Sequence, residues 1–185
     1  MRELISADQI QARIAAMAGR VDDYYRNERR PIVVIGVLSG ALFFMTDLIR
    51  KMKTEVQIDF IRTSTYPGLA TVPQMPKIIA EPITSLFGTR VLLIDDILDT
   101  GVTLSVVKKE LRFSNPEDIT TAVLLRKPGK ATNGVVANFV GFDIPDKFVF
   151  GYGLDRDGLC RELPYITDGG RDEFRVSEKE ASRHQ

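Results

Sequence analysis

Three carboxylates fall within five positions of the segment Val91 to Thr103, VLLIDDILDTGVT: Asp95, Asp96 and Asp99. The apolar run Val91–Ile94 reads as a buried strand that leads straight into the first two. The third precedes Thr100-Gly101-Val102-Thr103 and the start of a helix. In open α/β sheets, ligands bind at the carboxyl ends of strands. A Thr-Gly-x-Thr turn that opens a helix aims backbone N–H groups and two hydroxyls at one spot, where the helix dipole favours an anion. This is a phosphate cradle, and it lacks the Gly-Lys-Ser/Thr of a P-loop. Two carboxylates just before it suit the hydroxyls of a sugar carrying that phosphate, such as ribose 5-phosphate. Solvated turn acids are the plainer alternative, and they account less well for three acids in front of such a turn.

Composition narrows the chemistry further. The 185 residues contain one cysteine, Cys160, and one histidine, His184, the penultimate residue. An internal disulfide, a cysteine-based metal site and a histidine base are all disfavoured. The chemistry falls to carboxylates, lysines, backbone amides and a metal on oxygen ligands. Lys+Arg and Asp+Glu number 25 each, so the formal net charge is zero. That argues against nucleic acid or a membrane surface as partner. No stretch approaches the ~20 apolar residues of a membrane span. The N-terminus, MRELISADQI, does not read as a signal peptide. A cytoplasmic protein is expected.

The elements that must position the acids follow from periodicity. Ser6 and Gln9 fit a capping box, and Ile10, Ile14, Met17 and Val21 recur at helical spacing through about Tyr25. Ile32–Val37 is a β-branched strand, and Ala41 to about Met52 reads as a helix. Val56–Arg62 is a strand. Thr63–Pro76, with three prolines and no period, is a long loop of the kind that forms lids. Lys77–Ala80 is a short strand. Val102 to about Phe113 is a helix. Ile119–Leu125 is a strand, and Phe139–Gly141 and Lys147–Phe150 are short ones. This alternation predicts an α/β fold, a doubly wound, mostly parallel sheet flanked by helices. The residues from 171 to 185 read as a loosely packed tail.

The segment VLLIDDILDTG resembles the signature with which type I phosphoribosyltransferases bind phosphoribosyl pyrophosphate. Two further blocks resemble the hypoxanthine-guanine branch of that family. Gly36 to Leu48 is similar to its pyrophosphate loop and following helix. Val140 to Val149, then Gly151 to Asp155 and Arg161 to Leu163, are similar to its purine-binding segment. The three blocks occur in the same order and span most of residues 32–163. The resemblance implies one phosphoribosyltransferase domain, with a core over about 32–140. It implies a small hood with purine-binding parts from about 1–30 and 141–170.

The resemblance also implies roles. Asp95 and Asp96, with Ile97 beside them, would hold the ribose hydroxyls, directly or through Mg²⁺. Asp99 would be the general base at the purine N7. Thr100, Gly101, Val102 and Thr103 would bind the 5′-phosphate, and Leu38, Ser39 and Gly40 the pyrophosphate. Lys127 would reach the purine O6; the choice of a 6-oxo base over adenine is read from Lys147, whose head donates to a 6-oxo group and has no acceptor for a 6-amino group. Phe148 would meet the base with the backbone of Val149, and Leu154 would border the pocket. Asp155 would join Asp95 and Asp96 as a metal ligand, and Arg161 would contact pyrophosphate. Thr65 and Tyr66 match a pair in the family's lid. The sequence departs from the family pattern at Ser39, where lysine often stands, and at Thr71-Val72-Pro73, beyond the lid pair.

Residue chemistry agrees in kind with these roles. Phe148 offers a flat apolar surface. Lysine donates and never accepts, which suits a carbonyl oxygen. Asp155 beside phosphate oxygens suits Mg²⁺. Ordinary readings stand beside them: strand core for Phe148 and Val149, surface lysines at 127 and 147, and a small filler at Cys160. The implied activity is purine salvage. A phosphoribosyl group would pass from 5-phosphoribosyl 1-pyrophosphate to hypoxanthine, and to guanine, giving IMP or GMP and pyrophosphate. The alternatives are a preference for xanthine or guanine, or a non-catalytic nucleotide sensor on the same fold. The family resemblance also implies a homodimer or homotetramer.

Overall fold

The computed structural model describes residues 3–64 and 75–168. The chain opens with strand β1 (Glu3–Ile5) and helix α1 (Ala7–Tyr25). The capping box forms as the sequence predicts: the Gln9 N–H donates to Ser6 Oγ at 3.2 Å, and the Ser6 N–H donates to Gln9 Oε1 at 2.9 Å. Then follow β2 (Ile32–Leu38), α2 (Leu42–Ile49), β3 (Val56–Ser64), β4 (Lys77–Ala80), β5 (Arg90–Leu98), α3 (Val102–Arg112), β6 (Asp118–Arg126), β7 (Phe139–Asp143) and β8 (Ile166–Thr167).

Six strands form one sheet in the order β4-β3-β2-β5-β6-β7, parallel except for β4, which runs antiparallel to β3. Both faces are covered, so the central strands carry near-continuous apolar runs, Ile32–Leu38 in β2 and Val91–Ile94 in β5. Ile32 and Val34 of β2 face α1 and α2, in one core with Ile10, Ile14, Phe44 and Leu48. Val33, Ile35 and Val37 face the other way, in a second core with Leu104, Val107 and Leu111 of α3. Each such fully buried side chain contributes about 1.5–3 kcal/mol by leaving water. At the foot of α1, Tyr25 is buried and hydrogen-bonded to Thr120. Burial is the main reason its hydroxyl pKa is pushed up to about 12.

The chain leaves β2 to build β3 and β4 on one side of it, then returns to add β5, β6 and β7 on the other. The order therefore reverses between β2 and β5. Their pairing runs from Val33↔Val91 only to Gly36↔Ile94. Beyond that register the two strands part, and Val37, Leu38, Asp95 and Asp96 flank a crevice. A crevice at the strand carboxyl ends is where open α/β sheets take their ligands.

Three details differ from the sequence reading. The second helix spans Leu42–Ile49 rather than Ala41–Met52, because the last turn tightens: the Lys51 and Met52 N–H groups donate to Leu48 and Ile49 carbonyls. Lys147–Phe150 is not a strand. The chain leaves the sheet edge at Ile144-Pro145, where proline has no N–H to give, and only Phe150 pairs, with Thr167. Finally, β1 and β8 form a separate two-stranded antiparallel sheet, a hood strand pair. Strands of two and three residues carry no readable period.

Candidate active site

The crevice between β2 and β5 is a cleft of about 400 Å³. The end of β2 contributes Leu38 and Gly40, and β5 and the following turn contribute Asp95 through Thr103. Asp155 and Arg161 come from the hood segment. Twelve expected site residues therefore share one wall system: Leu38, Gly40, Asp95, Asp96, Ile97, Asp99, Thr100, Gly101, Val102, Thr103, Asp155 and Arg161. A wider depression of about 830 Å³ lies where residues just before β2 and β3 meet α1, away from the carboxyl ends. It mixes charges of both signs, and Asp22 there is already engaged by the Lys53 and Thr54 N–H groups.

Asp95 and Asp96 lie within β5, not in the turn after it. Each accepts the next N–H along the chain: Asp96 N to Asp95 Oδ1 at 3.0 Å, and Ile97 N to Asp96 Oδ1 at 2.7 Å. Burial raises the pKa of both carboxyls, well above the ordinary range at Asp95, where the Asp96 charge adds to the effect. Arg161 partly offsets this at Asp96. Gly40 lies against the Asp96 carboxylate so closely that a Cβ there would sit 1.9 Å from Oδ2. Glycine is the residue that lets the backbone of the β2–α2 loop approach the acid. The Leu38–Ser39 peptide in that loop is cis, and Ser39 is exposed at its tip.

The turn after β5 hinges on Gly101, the N-cap of α3, with φ at 78°. A side chain there would be strained and would meet Asn133. No side chain caps the helix, and no acid occupies its first turn. The first amides of α3 are thus left for a ligand at a positive helix end. The opposite wall is braced from the hood. Arg161 donates to the Gly153 carbonyl at 2.5 Å and pairs with Asp155 at 2.8 Å. Tyr152 donates to Asp47 of α2 at 2.5 Å, as does Gln11 of α1. Burial first, then that bond to Asp47, pushes the Tyr152 hydroxyl far up, so it remains a donor.

Asp99 faces two ammonium groups. Lys127 Nζ lies 3.0 Å from Oδ2, and Lys130 Nζ lies 3.0 Å from Oδ1. Lys127 is only 8% exposed. Lysines are rarely so buried unless paired, and this one is paired twice, with Asp99 and with Asp146 at 3.1 Å. Asp146 stands two residues before Phe148, so the segment with the expected base-binding residues is tied to Asp99 through Lys127. Phe148 itself is 52% exposed, with its ring centroid 6.3 Å from that of Phe150. Val149 and Leu154 are buried in the core. Lys147 pairs with Asp168 at 2.8 Å. Thr65, Tyr66 and most of the expected lid lie outside the described residues.

Sequence reasoning missed Lys130, and a signal for it was present. Lys127-Pro128-Gly129-Lys130 has the form of a type II turn, with proline second and glycine third. Gly129 has φ of 74°, and the Lys130 N–H donates to the Lys127 carbonyl at 3.3 Å. Such a turn brings its first and fourth residues together.

Among the described residues, no group of three His, Cys, Asp or Glu side chains comes together to hold a metal. Asp155 is engaged with Arg161 and with the Gly158 N–H. The cleft's donors are nonetheless all oxygen, the kind Mg²⁺ prefers. Coordination there would have to be completed by ligand oxygens and water.

Comparison with known proteins agrees with this geometry. Residues 6–157 match the model of the phosphoribosyl transferase domain. The chain is 37% identical over 167 residues to a hypoxanthine-guanine phosphoribosyltransferase of Mycobacterium bovis, covering 88% of this chain and 83% of that protein. It is 35% identical over 163 residues to the hypoxanthine phosphoribosyltransferase of Escherichia coli, covering 88% and 92%. Its fold is similar to the crystal structure of a hypoxanthine-guanine phosphoribosyltransferase from Bacillus anthracis, with a TM-score of 0.85 and 34% identity, over 92% of this chain and 99% of that one.

Proposed function

From the premise that this chain belongs to the phosphoribosyl transferase family, we propose that it moves a phosphoribosyl group from 5-phosphoribosyl 1-pyrophosphate to hypoxanthine, and to guanine. The products are IMP or GMP and pyrophosphate, a purine-salvage reaction. One observation carries the choice of base. Lys127 and Asp99 stand 3.0 Å apart beside the phosphate cradle and present a donor next to an acceptor. A 6-oxopurine presents the complement, an O6 acceptor next to an N7 proton. The 6-amino group of adenine would put a donor against the ammonium.

In this reading Asp99 takes the N7 proton as the new bond forms. Lys127 donates to O6, and the exposed face of Phe148 lies against the ring, with the main chain of Val149 at its edge and Leu154 packed behind. Lys147, next to Phe148 and paired with Asp168, is the second lysine able to donate to a 6-oxo group. Thr100, Gly101, Val102 and Thr103 hold the 5′-phosphate. Leu38, Ser39 and Gly40 hold the pyrophosphate through their main chain, with Arg161. Asp95 and Asp96, flanked by Ile97, accept from the ribose hydroxyls. Thr65 and Tyr66, which match the family's lid pair, lie outside the described residues; a lid there would serve to exclude water. Mg²⁺ is the expected cofactor; with Asp95, Asp96 and Asp155 and the substrate's own oxygens around it, it would neutralise charge on the leaving pyrophosphate. The chain is read as one cytoplasmic domain that works as a homodimer or homotetramer. Supporting the first part, no helix among the described residues is long and apolar enough to cross a membrane. Supporting the second, Ile58, Ile79, Ile83 and Phe87 are exposed.

A spectrophotometric assay with hypoxanthine, guanine, xanthine and adenine, each with phosphoribosyl pyrophosphate and Mg²⁺, tests the proposal. Hypoxanthine and guanine should turn over and adenine should be inert, since sites built around a polar contact discriminate by about 10⁴–10⁵. Equal rates with adenine and hypoxanthine would overturn it.

A further inference from the structure

Lys130 touches none of the cleft's expected ligand positions, yet it is one half of the clamp on Asp99. The two carboxylate oxygens of Asp99 are divided: Oδ2 accepts a hydrogen bond from Lys127, and Oδ1, buried and without a hydrogen-bond partner, has the Lys130 ammonium 3.0 Å away as an ion pair. Asp146 then bridges the two lysines from the far side, at 2.5 Å from Lys130 and 3.1 Å from Lys127. The four groups form a closed ring of alternating charge that sums to zero. Removing one member unbalances the other three. Lys130 donates to Asp146, and that bond first, then the Asp99 carboxylate beside it, raise the Lys130 pKa; the same bond first, then the nearby Lys127 ammonium, lower that of Asp146. The type II turn of Lys127 to Lys130 fixes the spacing of the two ammoniums. A purine that takes up Lys127 leaves the Lys130 ammonium as the cation beside the Asp99 carboxylate.

We propose that Lys130 is a positioning residue for the transfer reaction, holding Asp99 by Oδ1 so that Oδ2 faces the purine N7, with Asp146 as its counter-charge. The proposal rests on the reading of Asp99 as the base. Ion pairs this exposed contribute little to stability, so the role belongs to turnover rather than to folding.

The test is a double-mutant cycle on the full chain, with kcat and both KM values read for hypoxanthine and phosphoribosyl pyrophosphate. Lys130→Met keeps the aliphatic stem and removes the charge. It should lower kcat about ten- to hundredfold, the scale on which small misplacements of a catalytic group are felt. The KM for phosphoribosyl pyrophosphate, and the thermal shift on adding it with Mg²⁺, should stay as in the wild type. Lys130→Arg should restore most of the rate. On an Asp99→Asn background, Lys130→Met should cost nothing more, because the carboxylate it orients is gone. A Lys130→Met enzyme within twofold of wild type would overturn the proposal, and so would an equal loss in both backgrounds. Wild-type turnover by Asp99→Asn alone would instead remove the reading of Asp99, and the role of Lys130 with it.

Discussion

Asp99 is one acid among three at the end of β5, and its neighbours separate it from the others. Asp95 and Asp96 line the cleft, each held by the next N–H of its own strand, whereas Asp99 faces lysines. Replacing it with asparagine keeps the shape and removes the proton acceptor. Turnover should fall by roughly 10²–10⁴ with little change in the affinity for phosphoribosyl pyrophosphate; steady-state kinetics with near-normal kcat would refute the assignment. The two candidate lysines are also separable. Lys127 is buried against Asp99, and Lys147 is exposed against Asp168. Lys127→Ala should raise the KM for hypoxanthine by tenfold or more, about 1.4 kcal/mol, and Lys147→Ala by much less. If Lys147→Ala proves the more damaging, the 6-oxo group is read by Lys147 instead.

The elements matter through where they end. The β2–α2 loop reaches the cleft only because Gly40 has no side chain to strike Asp96. Gly40→Ala forces overpacking that costs about 1–3 kcal/mol, so the affinity for phosphoribosyl pyrophosphate should drop about ten- to hundredfold. Isothermal titration would show this, and unchanged binding would mean that the loop can yield. The parts of this arrangement differ in how plainly the sequence announces them. The helix α1, with its capping box and apolar stripe, and the β-branched β2 and β5 are dictated locally, by short-range periodicity. So is the Thr-Gly-x-Thr turn. The pairing of Lys127 with Asp99, 28 positions away, depends on β5 and β6 lying side by side, which no local pattern encodes. The β1–β8 pair, joining the two ends of the described chain, is non-local in the same sense. Proline at 145 and glycine at 129 were readable signs that Lys147–Phe150 leaves the sheet and that Lys130 folds back.

At the scale of the whole molecule, the cleft places two carboxyls, Asp95 buried and Asp96 partly so, where folding would be easier without them. Because the folded chain holds their proton more tightly than the unfolded chain does, stability is full below the ordinary aspartate range, near ~3.9. It declines as pH rises from there through the raised value. Asp95→Asn should therefore melt higher than wild type at neutral pH, with the difference shrinking toward acid. Calorimetry across that range decides it, and a lower melting temperature for the variant throughout would contradict the raised pKa. The same pair also shapes what happens on binding. Ribose hydroxyls donate, and a carboxyl that keeps its proton has one acceptor fewer to offer. Substrate capture at a pH where the pair still holds a proton should thus expel hydrogen ions into the medium. The heat of binding, measured in two buffers of different ionisation enthalpy, should differ by the number released. Acidification alone should weaken the grip on the sugar, so the enzyme's hold on its donor becomes a gauge of the acidity around it.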